Sequence, residues 1–328
     1  MMNVKDIVAR FEHVEGQRDN WNNHYQELAD YMLPRKADIV KKRSRGEKRM
    51  ELIFDGTALQ SVDLLSSSLH GMLTSGATPW FHLTMKDEEL GRDEEVQRWL
   101  EDSSQRMMRA FTMSNFETEV HEMYVDLVVF GTGCMFVEMD DKTLRFSTRH
   151  ISEFYVTEDQ YGIVDTVFRK YEIPARQAVQ RFGIDNVGAF IARTFEKKPD
   201  ENVEILHVVM PRVDRDPTKQ DNKNMPFASL YICMETKMIL AESGFQELPY
   251  VVPRFLKATG EVMGRSPAMV ALPDVKMINL MSKTIIQAAQ KMIDPPLLVP
   301  DDGFLLPIRT QPGGLNFYRS GSRDTITP

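Results

Sequence analysis

Cysteine is nearly absent: Cys134 and Cys233 are the only two in 328 residues. Two are too few for a disulfide framework or a cysteine-rich zinc site, and the scarcity fits a reducing compartment. No run approaches the ~20 apolar residues of a membrane-spanning helix. The start, Met-Met-Asn-Val-Lys-Asp, lacks the apolar core of a signal peptide. Positive charge is in deficit, with 40 Lys and Arg against 48 Asp and Glu and a net charge of −8. Non-specific adhesion to nucleic acid runs on phosphate neutralisation, so this balance implies that any DNA partner is tolerated and not gripped.

Catalytic motifs are missing as well. His121-Glu122 opens a zincin-like pattern, but Val125 stands where the second His is required. Gly131-Thr132-Gly133 lacks the Gly-Lys-Ser/Thr that would complete a phosphate loop and reads as a helix-to-strand turn. No Ser sits in a Gly-x-Ser-x-Gly elbow, and His13, His24, His70, His82, His121, His150 and His207 are scattered. The paired acids Asp140-Asp141 and Asp301-Asp302 could hold a cation, but adjacent acids in turns are usually just solvated. These absences predict no catalytic residue, no metal, no cofactor and no membrane partner.

What is present is ordinary globular composition, 42% hydrophobic and 27% charged, in a chain longer than one core usually organises. The 21 Met residues suit either adaptable surfaces or core filling. Apolar spacing predicts a helix over Val4 to Met32 ended by Pro34, a second over Thr57 to Leu73, and further helices over Asp93 to Met113 and Asn115 to Phe130. On the second, Leu59, Val62, Leu65, Leu69 and Met72 form one side and Ser66-Ser67-Ser68 the polar surface. Trp80 to Leu83 alternates like a strand. Between Arg35 and Arg49 lie eight basic residues, Lys41, Lys42, Arg43 and Arg45 among them. The segment reads as a solvated loop or a patch for DNA or an acidic partner, the loop favoured because no aromatics interleave.

From Gly131 the period becomes two, predicting strands over Cys134 to Met139, Thr143 to Ser147, Glu153 to Val156, Ile163 to Tyr171, Val203 to Val213, Ala228 to Met234 and Tyr250 to Phe255. A short helix runs from Pro174 to Phe182, closed by Gly183, and Asp214 to Pro226 is an exposed loop. The fold class is therefore α+β. The last strong helix starts at Pro267 or Pro273 and stops at Asp294-Pro295-Pro296. At 100° per residue, Lys276, Asn279, Lys283, Gln287, Gln290, Lys291 and Asp294 lie within about 60° of one line, a polar stripe. Met277, Met281, Ile285, Ala288 and Met292 form an apolar face opposite, one that wants neighbours.

Gly264-Arg265-Ser266-Pro267-Ala268, then Leu272-Pro273-Asp274-Val275-Lys276, Ala288-Ala289-Gln290-Lys291, Asp294 to Gly303 and Pro312-Gly313-Gly314-Leu315-Asn316 together resemble the head-to-tail connector (portal) family of podoviruses. The likeness is strongest over the last quarter; Trp21 to Pro34 and Asp55-Gly56-Thr57-Ala58 resemble it more loosely.

The resemblance implies a portal-type subunit. Residues 1–266 would be the wing, helical to about 130 and β-rich over about 131–255, with 267–293 a projecting first stem helix and 294–328 a small clip. It implies a homo-oligomeric, twelve-subunit ring at one capsid vertex, assembled in the host cytoplasm and carried in the virion. Its partners would be the large terminase, tail adaptor proteins, capsid and scaffolding proteins, and double-stranded DNA passing through the tunnel. On this mapping Lys276, Lys283, Gln287 and Lys291 are candidate tunnel-lining residues, and Met277, Met281, Ile285, Ala288 and Met292 candidate stem-packing residues. Phe304, Phe317, Tyr318 and Arg319 are candidates for docking at the clip. Portals of this family continue into a second stem helix and a crown, so the chain reads as a truncated part of the family fold. The rival readings are a nucleic-acid-binding structural module using the basic 35–49 segment, and a hydrolase with dispersed catalytic residues.

Overall fold

The computed structural model describes residues 3–42, 46–87, 89–139, 143–219 and 221–293. Two compact units are formed, one by Met1–Leu52 with Thr57–Leu272, the other by Ile53–Gly56 with Pro273–Pro328. The clip expected over 294–328 lies outside the described residues.

The first unit opens with α1 (Val4–Gln17) and α2 (Asp19–Met32). The single helix expected over Val4 to Met32 is thus corrected to two, parted at Arg18. That residue is only 4% exposed; its guanidinium donates to the carbonyls of Ile151 and Phe154 and lies 4.6 Å from the Tyr155 ring centroid. Apolar periodicity cannot register this, because the break is set by acceptors more than 130 residues away in sequence.

Helices α3 (Thr57–Leu73), α4 (Glu94–Thr112) and α5 (Phe116–Phe130) follow. Asp93 caps α4 by accepting from the backbone N–H of Glu95 at 2.8 Å, as an N-cap acid should. On α3 the expected serine surface is corrected at Ser66, which is fully buried and donates to the Val62 carbonyl at 2.9 Å, while Met72 is 81% exposed. A hydroxyl that bonds back to its own helix can enter a core without an unmet donor. Trp80 to Leu83 has no regular secondary structure and belongs to no sheet, which corrects the strand expected there.

Strands β1 (Met135–Met139) and β2 (Leu144–Thr148) join the two-residue β8 (Tyr250–Val251) in a sheet ordered β2-β1-β8. The larger sheet is an antiparallel meander: β3 (Phe154–Glu158), β4 (Val164–Pro174), β5 (Asn202–Pro211), β6 (Phe227–Cys233) and β7 (Met238–Phe245). Helices α6 (Ala175–Phe182) and α7 (Gly188–Lys197) lie between β4 and β5. Neither α7 nor β7 was legible in the sequence: α7 is short and starts at a glycine, and β7 contains Gly244.

Alternation gives the meander two apolar faces. Phe168, Leu206, Val208 and Ile232 pack with Ile7, Val8 and Phe11 of α1. On the other face Tyr171, Val203, Ile205 and Cys233 pack with Ala178, Phe182 and Ile191 of α6 and α7. A third cluster joins Phe116, Val120 and Met123 of α5 to Met135 and Phe146 of the small sheet.

The chain leaves α2 through a polar anchor. Gln26 Oε1 accepts from the backbone N–H groups of Ile39, Val40 and Lys41, and its amide donates to the Ala37 carbonyl at 2.6 Å. Lys36 donates to Asp126 at 2.7 Å and pairs with Glu122 at 2.9 Å, Asp126 having a side chain only 2% exposed. Burial raises the pKa of Asp126 against the pull of Lys36. Burial would raise Glu122 too, but Lys36 and Arg35 outweigh it and hold that carboxyl below its usual range.

Two stability predictions follow from these buried polar contacts. Arg18→Met strands two carbonyls and should cost about 2–4 kcal/mol in urea unfolding; a loss below about 1 kcal/mol would mean that water replaces the guanidinium. Lys36→Met leaves Asp126 buried without its cation and should cost about 3–5 kcal/mol near neutral pH. The sign with pH is fixed. A carboxyl with a raised folded pKa loses stability as pH rises past its unfolded value, whereas the stability Glu122 gains from Lys36 is lost as pH falls. The gap between variant and parent should therefore narrow on acidification, and a gap that widened would contradict the assignment.

Candidate functional site

The longest helix, α8 (Pro267–Ile293), has the span expected of it, with Pro273 inside and not at its start. Ser266 explains the earlier start. Its hydroxyl accepts the Met269 N–H at 3.0 Å, an N-cap bond, while donating to the Val129 carbonyl at 2.8 Å. Just before it, Gly264 crosses Gly131, which ends α5 in a left-handed conformation (φ 78°). A Cβ on either glycine would collide with the carbonyl of the other, so this crossing admits no larger residue. Thr132 Oγ1 completes it by accepting the Gly264 N–H at 2.8 Å.

Within the second unit, segment 53–56 is clasped to α8. Asn279 Oδ1 accepts from the N–H groups of Phe54 at 2.7 Å and Asp55 at 3.2 Å, and Asn279 is 8% exposed. Lys283 Nζ lies 5.4 Å from the centroid of the Phe54 ring, a cation–π approach. The stripe read as polar surface is therefore divided: Asn279 is buried by the clasp, Lys276 is half-buried, and Lys283, Gln287 and Lys291 are exposed. Nothing in the local sequence marks Asn279 as a clasp, since its acceptor pairs with amides over 200 residues away.

The other side of α8 is exposed among the described residues. Met277 is 50% exposed, Met281 56%, Ile285 68% and Met292 83%, and Ala288 is exposed. Apolar exposure reaches beyond that face to Ile278, Leu280, Ile286 and Ile293. A helix apolar over more than half its circumference belongs in a packed environment on that side, not in water.

The basic segment is more structural than its composition implies. Arg35 pairs with Glu122 at 3.0 Å, Lys36 with Asp126 and Glu122, Lys42 with Glu172 at 2.6 Å, and Arg49 with Asp38 at 2.5 Å. Four of its cations thus have acidic partners among the described residues. Lys41 is exposed, and Arg43 and Arg45 lie outside the described residues, as do Phe304, Phe317, Tyr318 and Arg319.

Groups that might do chemistry are committed elsewhere. His207, buried, has Nδ1 on the Tyr250 hydroxyl at 2.8 Å and Nε2 on the Ser229 hydroxyl at 2.9 Å, and its ring stacks on Tyr231 at 4.1 Å. Burial, reinforced by Arg169, Arg181 and Arg149, lowers its pKa well below the usual histidine range. Burial raises the Cys134 thiol, and neither cysteine is in a disulfide. Among the described residues no three His, Cys, Asp or Glu side chains group as a metal site, and no helix is long and apolar enough to cross a membrane.

The chain is similar to the "Probable portal protein" of Bordetella phage BPP-1, 34% identical over 319 residues, which cover 95% of the chain and 57% of that protein. It is similar also to the "Portal protein" of Salmonella phage epsilon15, 33% identical over 300 residues, covering 90% of the chain and 54% of that protein. It thus spans little more than half the length of these relatives. With residues 4–328 also matching the family described as "Bacteriophage head to tail connecting protein", the chain belongs to that family.

Proposed function

We propose that the protein is a portal subunit, one of a closed ring, twelve in number, at a single capsid vertex through which double-stranded DNA is packaged and ejected. The observation that carries this reading is α8, 27 residues long with apolar side chains exposed over most of its circumference. At 1.5 Å per residue it spans about 40 Å. Copies packed side by side in a ring would bury Met277, Met281, Ile285, Ala288 and Met292, and repetition of one heterologous contact closes such a ring. Family membership and the relatives' names support the connector role.

Lys283, Gln287 and Lys291, with Lys276 partly covered, would then face the tunnel as stacked circles of positive charge. The net charge of −8 keeps the remaining surface from gripping DNA, so the duplex could slide. Large terminase and tail adaptors would dock on the clip through Phe304, Phe317, Tyr318 and Arg319, and capsid and scaffolding proteins on the wing. A nucleic-acid-binding module built on residues 35–49 is less favoured, because Arg35, Lys36, Lys42 and Arg49 are neutralised within the chain.

Native mass measurement should give a ring of the parent chain, and Ile285→Asp should abolish it by placing a charge in the packed face, at a cost of several kcal/mol per contact. A ring of unchanged mass and stability in that variant would remove α8 from the interface. For the tunnel, replacing Lys276, Lys283 and Lys291 together by Gln should lower packaging yield and DNA retention, with an altered salt dependence. Yield and retention equal to the parent across a salt series would make the stripe ordinary solvated surface.

A further inference from the structure

Three arginines of the first unit converge on one face of the meander. Arg169 lies on β4 in register with His207 of β5, and His207 in register with Tyr231 of β6. The His207 and Tyr231 rings stack at 4.1 Å, and Phe136 of the small sheet meets the His207 ring at 5.8 Å. Each guanidinium lies against an aromatic ring of this group. Arg149 is 5.4 Å from the Phe136 centroid, Arg169 is 4.0 Å from that of Tyr171, and Arg181, on α6, is 4.8 Å from that of Tyr231. Stacking occupies the face of a guanidinium and leaves its five in-plane N–H donors to find acceptors.

Few of those donors have one. Arg169 directs Nε and a terminal nitrogen to Glu153, both at 2.9 Å, and Arg181 gives one donor to the Tyr231 hydroxyl at 2.8 Å. The guanidinium of Arg149 has no hydrogen bond or ion pair among the described residues, and its Nε is buried. The Tyr171 hydroxyl is likewise buried without a partner there. Burial and then the charge of Arg169 lower the pKa of Arg149, while burial raises that of Tyr171 against the pull of Arg181, Arg169 and Arg149. The three charges thus share one poorly solvated region.

The acids nearby do not balance them. Glu153 is taken by Arg169, and Glu138 of β1, which adds to burial in raising Tyr231, stands opposite Arg145 in the β1–β2 register. Asp126 is bound by Lys36, and Asp165 lies four residues back along β4, about 13 Å at strand rise. Neither Arg149 nor Arg181 has a carboxylate within ion-pair distance among the described residues. Unmet buried donors call for a water or an ion. A water would satisfy the phenol but not the unmatched charge of Arg149.

We propose that this cluster binds a tetrahedral oxyanion of the phosphate or sulfate class, held by Arg149, Arg169 and Arg181 with the Tyr171 hydroxyl. The inference is independent of the ring reading. A carboxylate offers two oxygens, too few for three guanidiniums and a phenol, whereas a tetrahedral anion offers four. Access is graded: Arg181 is exposed, the Arg169 side chain is 13% exposed, and Arg149 is half-buried. A free anion would enter beside Arg181, and the phosphates of a DNA backbone would meet that arginine alone.

The test is calorimetric titration of the whole chain with inorganic phosphate and with sulfate, against acetate and chloride at equal ionic strength. Phosphate and sulfate should each bind at one per chain, and acetate and chloride about tenfold more weakly or less. Arg181→Gln should weaken phosphate about tenfold or more, the loss of a charge-assisted hydrogen bond, and Arg149→Gln at least as much with its circular dichroism unchanged. Glu138→Gln, which removes a competing negative charge, should tighten it. Absence of phosphate binding in the parent, unchanged binding in Arg181→Gln, or acetate binding as tight as phosphate would overturn the site. If Arg149→Gln did not fold, Arg181→Gln and the acetate comparison would still decide it.

Discussion

Arg18 holds the first unit together. One guanidinium ends α1, begins α2 and binds both helices to the start of the meander, through carbonyls that no regular strand pairing satisfies. The site is apolar enough to lower the arginine's pKa by burial, yet Tyr155 and Tyr25 lie at its face and Glu15 nearby offsets part of that cost. A charge so deeply placed stabilises only if its hydrogen bonds are made, so it fixes geometry more than it adds free energy. The orientation of α1 on the sheet, and with it the cluster of Phe11, Phe168 and Leu206, depends on that placement.

The same logic recurs where the chain turns sharply. Gln26 gathers three backbone amides, Lys36 reaches a buried carboxylate, and Asn279 takes two amides of segment 53–56. In each case a side chain satisfies backbone or charge that has no sheet or helix partner, which is what lets irregular segments pack. Residues that look like solvated surface in the sequence, the basic run above all, are partly consumed in this way.

Helix α8 is the opposite case. Its start is fixed by Ser266 and the Gly131–Gly264 crossing, but most of its apolar surface has no counterpart among the described residues. On the reading proposed above, further copies of the chain would supply the burial of that surface.

The sequence by itself determined the α+β class, the limits of α3, α4 and α5, the existence of α8, and most strands of the meander. Those features depend on periodicity, prolines and caps, all local in the chain. The resemblance to portal proteins was likewise carried by residues readable in order along Gly264 to Pro328. Tertiary structure alone decided the break at Arg18, the burial of Ser66 and Asn279, the neutralisation of four cations of the basic segment, and the place of Trp80 to Leu83 outside any sheet among the described residues. Each of these turns on a contact between residues distant in sequence, or on the absence of one. A strand is legible from its own alternation, but whether it is paired is a property of what the fold sets beside it.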